Sequence, residues 1–151
     1  MDFLSYFLTA IVSFLGLATG AFLAFISPEE MPTGRKFFPL LQRIILVAIA
    51  AIFISIFVEN IYIRIILYIA AILLLSIRLK PEIIYPLLAF PFFFSSTNPN
   101  AFLAIAILVF VYGLPTGSLY AAKRKSAAAK FVLSQLTFLL VAAAFYIILK
   151  A

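Results

Sequence analysis

Long apolar stretches separated by short polar ones set the pattern of this chain. Residues 3–26 carry no charge at all, and further apolar stretches cover about 37–58, 61–77, 101–122 and 131–149. A bilayer core about 30 Å thick needs about 20 helical residues, so these lengths fit membrane crossings better than buried soluble helices. The stretch at 82–94 is shorter and carries Pro86 and Pro91. Proline removes an amide donor and crowds the preceding turn, so this segment reads as a short or kinked crossing or a re-entrant one. Pro39 falls in the first turn of the second segment, where a missing donor costs little. The expected fold is all-α: a polytopic membrane helical bundle of about six transmembrane helices, the fourth short and proline-broken, in one integral membrane domain over 1–151.

Within the first segment the small or weakly polar residues are Ser5, Thr9, Ser13, Gly16, Gly20, Ala24 and Ser27, in steps of three and four. That spacing places them on one helix face. Between helices in lipid there is no hydrophobic drive, and small residues that permit close approach supply the association instead. Ser13, Gly16, Gly20 and Ala24 therefore form the expected helix-packing seam, used within the bundle or against a second copy. The hydroxyls of Ser5, Thr9 and Ser13 are too few for a polar conduction path.

The turn after this segment reads Ser27-Pro-Glu-Glu-Met-Pro-Thr-Gly-Arg35. Ser27, Pro28 and Glu30 have the spacing of a capping box, predicting a short interfacial helical turn ended by Pro32 and Gly34. Glu29, Glu30 and Arg35 are candidate contact or ligand residues. Their pattern resembles the Glu-Glu-x-x-x-Arg signature of CAAX-type intramembrane proteases, with four residues in place of three before the arginine. That family also requires histidines, and the chain has none, so no role is carried over. Glu59 and Arg64, one on each side of the tight link between segments two and three, form a second candidate pair, as a staple or an anion contact. In segment five, Gly113, Pro115 and Gly117 predict a kink that exposes carbonyls. Ser134, Gln135 and Thr137 are expected to bond to neighbouring helices.

Composition narrows the functional classes. Hydrophobic residues make up 67% of the chain and charged ones 11%, against about 25% charged in soluble proteins. The net charge of +6 does not form a stripe, so no nucleic-acid partner is expected. Lys123, Arg124, Lys125 and Lys130 are assigned to lipid headgroups. If all six segments cross, one face holds Arg35, Lys36, Arg43, Arg78, Lys80, Lys123, Arg124, Lys125 and Lys130, and the other holds Arg64 and Lys150. The positive-inside rule then places both termini outside a cell membrane. Cysteine and histidine are absent, and no carboxylate lies in the middle of a segment. Thiolate chemistry, the usual zinc sites and carboxylate ion pathways thus have no carriers, and neither catalysis nor a cofactor is expected. The reading is a non-enzymatic scaffold or assembly subunit, its partners being lipids, a second copy or another membrane protein. A small transporter or channel using segments four and five is the alternative, and a lipid-modifying enzyme a distant third.

Overall fold

A computed structural model describes residues 1–27, 29, 31–76, 80–122 and 125–150, without the side chains of 31–33, 35, 74–76, 81, 125–128 and 150. The described residues form eight helices and no strand: α1 (Phe3–Ile26), α2 (Met31–Phe57), α3 (Ile61–Ser76), α4 (Pro81–Leu87), α5 (Ala89–Ser95), α6 (Pro99–Ala121), α7 (Lys125–Ser134) and α8 (Thr137–Lys150). Among them, four spans are long and apolar enough to cross a membrane: 3–26, 36–57, 99–121 and 129–149, with shorter apolar helices at 61–73 and 82–95.

Local chemistry fixes the ends. Asp2 caps α1 by accepting from the Ser5 amide (3.2 Å) and hydroxyl (3.1 Å). The Asn60 side chain accepts from the Tyr62 amide at 2.9 Å and so opens α3. Asn98 accepts from the amides of Asn100 and Ala101, and Pro99 follows it at the first helical position of α6. Both are sites where an otherwise orphaned donor or a missing one costs least.

Side-chain partners show the direction of each pass. On α1 and α6, Ser13 meets Ala106 and Gly20 meets Ser118, so the two run parallel. On α2, Gln42 meets Thr116 while Phe57 meets Phe94, so α2 runs antiparallel to α6. The pair α4–α5 rises the same way, with Tyr85 against Phe14 and Phe92 against Tyr6. The pair α7–α8 follows it: Phe131 stacks on Tyr120, Phe138 packs on Tyr85, and Tyr146 donates to the Met1 carbonyl at 2.6 Å. The α3 helix returns beside α2, where the hydroxyls of Tyr68 and Ser55 lie 2.7 Å apart. The eight helices are thus six alternating passes, and the two termini meet at one end of the bundle.

The core lies between α1, α6, α4–α5 and α8 and is strongly aromatic. Tyr6, Tyr85, Phe92, Tyr112 and Phe138 are fully buried in it. Tyr6 also donates to the Ala142 carbonyl at 3.2 Å, tying α1 to α8.

Three expectations are corrected. Pro32 and Gly34, expected to end the turn, instead lie inside α2, which begins at Met31. Pro32 is its second residue, where proline does no harm. Ser27 closes α1, its amide donating to the Leu23 carbonyl, and Pro28 and Glu30 of the expected capping box lie outside the described residues. The last pass is not one helix over 131–149 but breaks at Gln135–Leu136 without a proline or glycine. There the Ser134 hydroxyl donates to the Phe131 carbonyl (2.7 Å), the Thr137 hydroxyl donates to the Ser134 carbonyl (3.0 Å), and the Leu136 amide reaches only to Leu133. Hydroxyls competing for carbonyls three residues back tighten the turn. The hydrogen bonds of Ser134, Gln135 and Thr137 are accordingly local, not interhelical. The break at Leu88 has its cause in Pro91, which has no amide to give Leu87 and crowds that carbonyl. Two amide bonds, Leu88 to Ile84 (3.0 Å) and Phe92 to Leu88 (3.1 Å), carry the pass across.

Candidate functional site: a buried polar cluster between two broken passes

The seam residues sit at the α1–α6 contact. Ser13 is buried, as are Gly16, Gly20 and Ala24. A methyl group added to Gly16 would strike the Phe110 carbonyl, and one on Gly20 the Leu114 carbonyl. Reciprocally, a methyl on Gly117 would strike the Leu17 carbonyl, and one on Gly113 the Leu17 amide at 2.5 Å. Gly113-x-x-x-Gly117 is therefore a second close-approach motif interlocked with the first. No described glycine has a positive φ, so these glycines serve proximity and not an unusual backbone. Two hydroxyls fasten the contact: Ser13 donates to the Ala106 carbonyl (3.1 Å) and Ser118 to the Gly20 carbonyl (2.8 Å). Around Pro115 the segment is one helix, Pro99–Ala121, and its glycines Gly113 and Gly117 lie against α1. The seam is used within the chain, so its face is not open to a second copy.

The other predicted residues scatter. Glu29 is exposed in a single turn, the Arg35 side chain lies outside the described residues, and so do Glu30, Lys123, Arg124 and the Lys125 side chain. Lys130 is exposed on α7. Arg64 does not pair with Glu59. Its Nε and Nη2 both donate to the Val58 carbonyl, at 2.9 and 2.6 Å, closing the C-terminal end of α2, where a cation also suits the helix dipole.

What the fold does assemble is a polar cluster at the end of the bundle away from the termini. Gln42 Nε2 donates to Thr116 Oγ1 (2.7 Å), which donates in turn to the Tyr112 carbonyl (2.7 Å). Tyr112 stacks on Tyr85 with ring centroids 6.2 Å apart. At the rim Tyr120 donates to Glu82 Oε1 at 3.0 Å. Tyr85 lies one residue before Pro86 and is 0% exposed, and its hydroxyl has no hydrogen-bond partner. Gln135 forms the other break and is 2% exposed. Its Nε2 donates to Ser134 Oγ (3.1 Å), but its Oε1 is also without a partner. The Phe138 ring, one turn beyond Gln135, packs edge-on to Tyr85 at 5.5 Å. Two discontinuous passes thus face each other, each with one orphaned buried polar atom. The deep groups are neutral hydroxyls and amides, able to orient a hydrogen-bonding guest. Among the described residues no group of three acidic, cysteine or histidine side chains could hold a metal ion. Tyr85 and Tyr112 carry no motif. Their signal in the sequence is only that a tyrosine deep in an apolar segment brings a hydroxyl needing a partner.

Comparison with protein-family models, curated proteins and solved structures finds no match to this chain.

Proposed function

We propose that the chain is a multi-pass integral membrane protein of six crossings, with both termini outside, acting as a non-enzymatic assembly subunit. The observation that carries this reading is α3. Among the described residues it packs chiefly on α2, and its apolar side chains are exposed from Ile61 and Tyr62 through Ile66 and Ile69 to Leu73. Its 16 described residues span about 24 Å. A helix held to the bundle mainly along one side leaves its other faces free for a neighbouring helix, and membrane helices associate by such side-by-side packing. The partner that suits this surface is an apolar membrane helix of another protein, since the chain's own small-residue seam is already occupied.

Purification from native membrane in mild detergent, with identification of co-purifying proteins, tests this. A specific membrane protein should accompany the native chain and be lost with Ile66→Trp and Ile69→Trp. Recovery of the chain alone, of itself as a dimer only, or of the same partner with both variants would overturn it.

A small transporter is the second reading, favoured by the paired breaks, since discontinuous helices commonly frame binding sites in transporters. The two broken passes are the fourth and the sixth, not the fourth and fifth. A cysteine at position 135 in this cysteine-free chain that reacts with a water-soluble thiol reagent would support it, and complete protection would count against it.

A further inference from the structure

A notch between the fourth and sixth passes is separate from the polar cluster. It is a cavity of about 410 Å³, lined by Ile83, Pro86, Leu87 and Phe90 of the fourth pass and by Val141 and Phe145 of α8. Positions 83, 86, 87 and 90 share one helix face, as do 141 and 145. All six side chains are hydrocarbon. Ile83, Leu87 and Phe90 are exposed, so the notch is open along its side. Phe90 and Phe145 meet edge to face with centroids 6.1 Å apart. Each is the lining residue of its pass farthest from the basic end, so their rings close the notch there. At the other end, Ile83 lies about 4.5 Å of helix rise beyond Lys80, an exposed cation immediately before α4. Glu82, the acid at this mouth, accepts from the Tyr120 hydroxyl.

We infer that this notch holds one acyl chain of an anionic phospholipid from the leaflet at the basic end, with the lipid phosphate at Lys80. The inference rests on the reading of the chain as a multi-pass membrane protein, and not on the partner proposed for α3. Length, shape and charge select this occupant. The rise from Lys80 to Phe90 is about 15 Å, the depth of one leaflet in a core of about 30 Å. A flexible chain can end at the Phe90–Phe145 contact, whereas a helix laid along this side would have to run past it. Apolar contact alone gives no preference in a solvent that is itself apolar, so selectivity comes from the headgroup, and a lysine at the membrane surface favours an anionic one. The bound chain fills the space between two passes that are both interrupted, and so fixes the fourth against the sixth.

The chain has no tryptophan, so a single one reports its own surroundings. Phe145→Trp places the reporter in the notch, and Leu103→Trp places it on an exposed site of α6 as a control. Each variant is reconstituted in phosphatidylcholine vesicles, and its fluorescence is quenched with increasing fractions of phosphatidylglycerol or phosphatidylcholine brominated in the acyl chains. In the notch, phosphatidylglycerol should half-quench at about a fivefold lower fraction than phosphatidylcholine, the preference that one lysine gives near an anionic lipid. The control should show no preference. Adding Lys80→Gln, or Val141→Phe to fill the notch, should abolish the difference. Equal quenching by both lipids at Phe145→Trp, or a preference that survives either added substitution, overturns the proposal. So does a notch reporter that neither lipid quenches while the control is quenched, since a protein surface then covers the notch. If neither reporter is quenched, the chain is not in the bilayer, and the membrane reading falls together with the notch. Mass spectrometry of the unsubstituted chain from mild detergent provides the check that misfolding cannot spoil. One phosphatidylglycerol per chain should be retained where phosphatidylcholine is lost, and retention of neither, or of both equally, overturns the proposal.

Discussion

At Gly20 a missing methyl group decides how close two helices come. A Cβ there would land on the Leu114 carbonyl, and a backbone oxygen cannot rotate away. Gly20→Ala, the smallest possible change, should therefore force α1 and α6 apart and cost about 1–3 kcal/mol, read as unfolding in mixed detergent micelles. Gly34 is the contrast: its added Cβ would meet only the Phe38 ring, the end of a side chain. Gly34→Ala should be neutral or stabilising by up to about 1 kcal/mol, from the better helix propensity of alanine. Equal losses at both positions would contradict this account of the seam. Asp2 makes a second residue-scale case. The Ser5 hydroxyl and amide donate to its carboxylate and hold its pKa below the ordinary carboxylate value. The folded state thus favours the charged form. The contribution is fully present above the usual value of about 4, and it is lost as pH falls through the depressed folded value. Asp2→Asn keeps a competent cap and should flatten the melting temperature between about pH 2 and 5, where the native chain loses stability on acidification.

At the scale of elements, α3 is held by few groups, so it should be the first to come loose. Arg64 gives two donors to the Val58 carbonyl and Tyr68 bonds Ser55, and these are its polar ties to α2. Arg64→Met should cost roughly 1 kcal/mol, and its effect should be confined: amide exchange rises in α3 and the end of α2 while α1 and α6 keep their protection. Uniform loss of protection would mean that α3 is part of the core after all. The same element shows where the sequence was legible. Its antiparallel return beside α2 follows from the two-residue polar break Glu59-Asn60. The partner of Arg64 did not follow, because charge suggested Glu59 whereas a helix end offered an unpaired carbonyl. The α1 seam was legible because small residues three and four apart have few other uses in lipid. Its counterpart on α6 was not, since Pro115 between Gly113 and Gly117 made flexibility the more obvious reading. The break at Gln135 was hidden for a different reason: Ser134 and Thr137 act through hydroxyl bonds to nearby carbonyls, and nothing in their spacing separates that from bonds to another helix. That Tyr85 and Gln135 are each buried with a polar atom unpartnered shows only in the folded chain.

For the whole molecule, alternation of the six passes turns charge into topology. Met1 and Tyr146 meet, so the two termini lie at one end of the bundle, and Lys36, Lys80 and Lys130 are exposed at the other. On the topology proposed above, the positive-inside rule predicts that this basic end faces the cytoplasm. Because the chain has no cysteine, single cysteines at positions 2, 33, 97 and 126 can be probed from outside with an impermeant thiol reagent. Positions 2 and 97 should label in intact cells, and positions 33 and 126 only after the membrane is opened. The fourth pass is the sensitive one. Its helices α4 and α5 are seven residues each, together about 21 Å, and its contacts run along the bundle from Phe14 at Tyr85 to Tyr6 at Phe92. A re-entrant fourth pass would put position 97 on the side of position 33 and move position 126 outside. That pattern would also place the Lys123–Lys130 cations against the positive-inside rule, so this one labelling experiment separates a short, broken crossing from a hairpin.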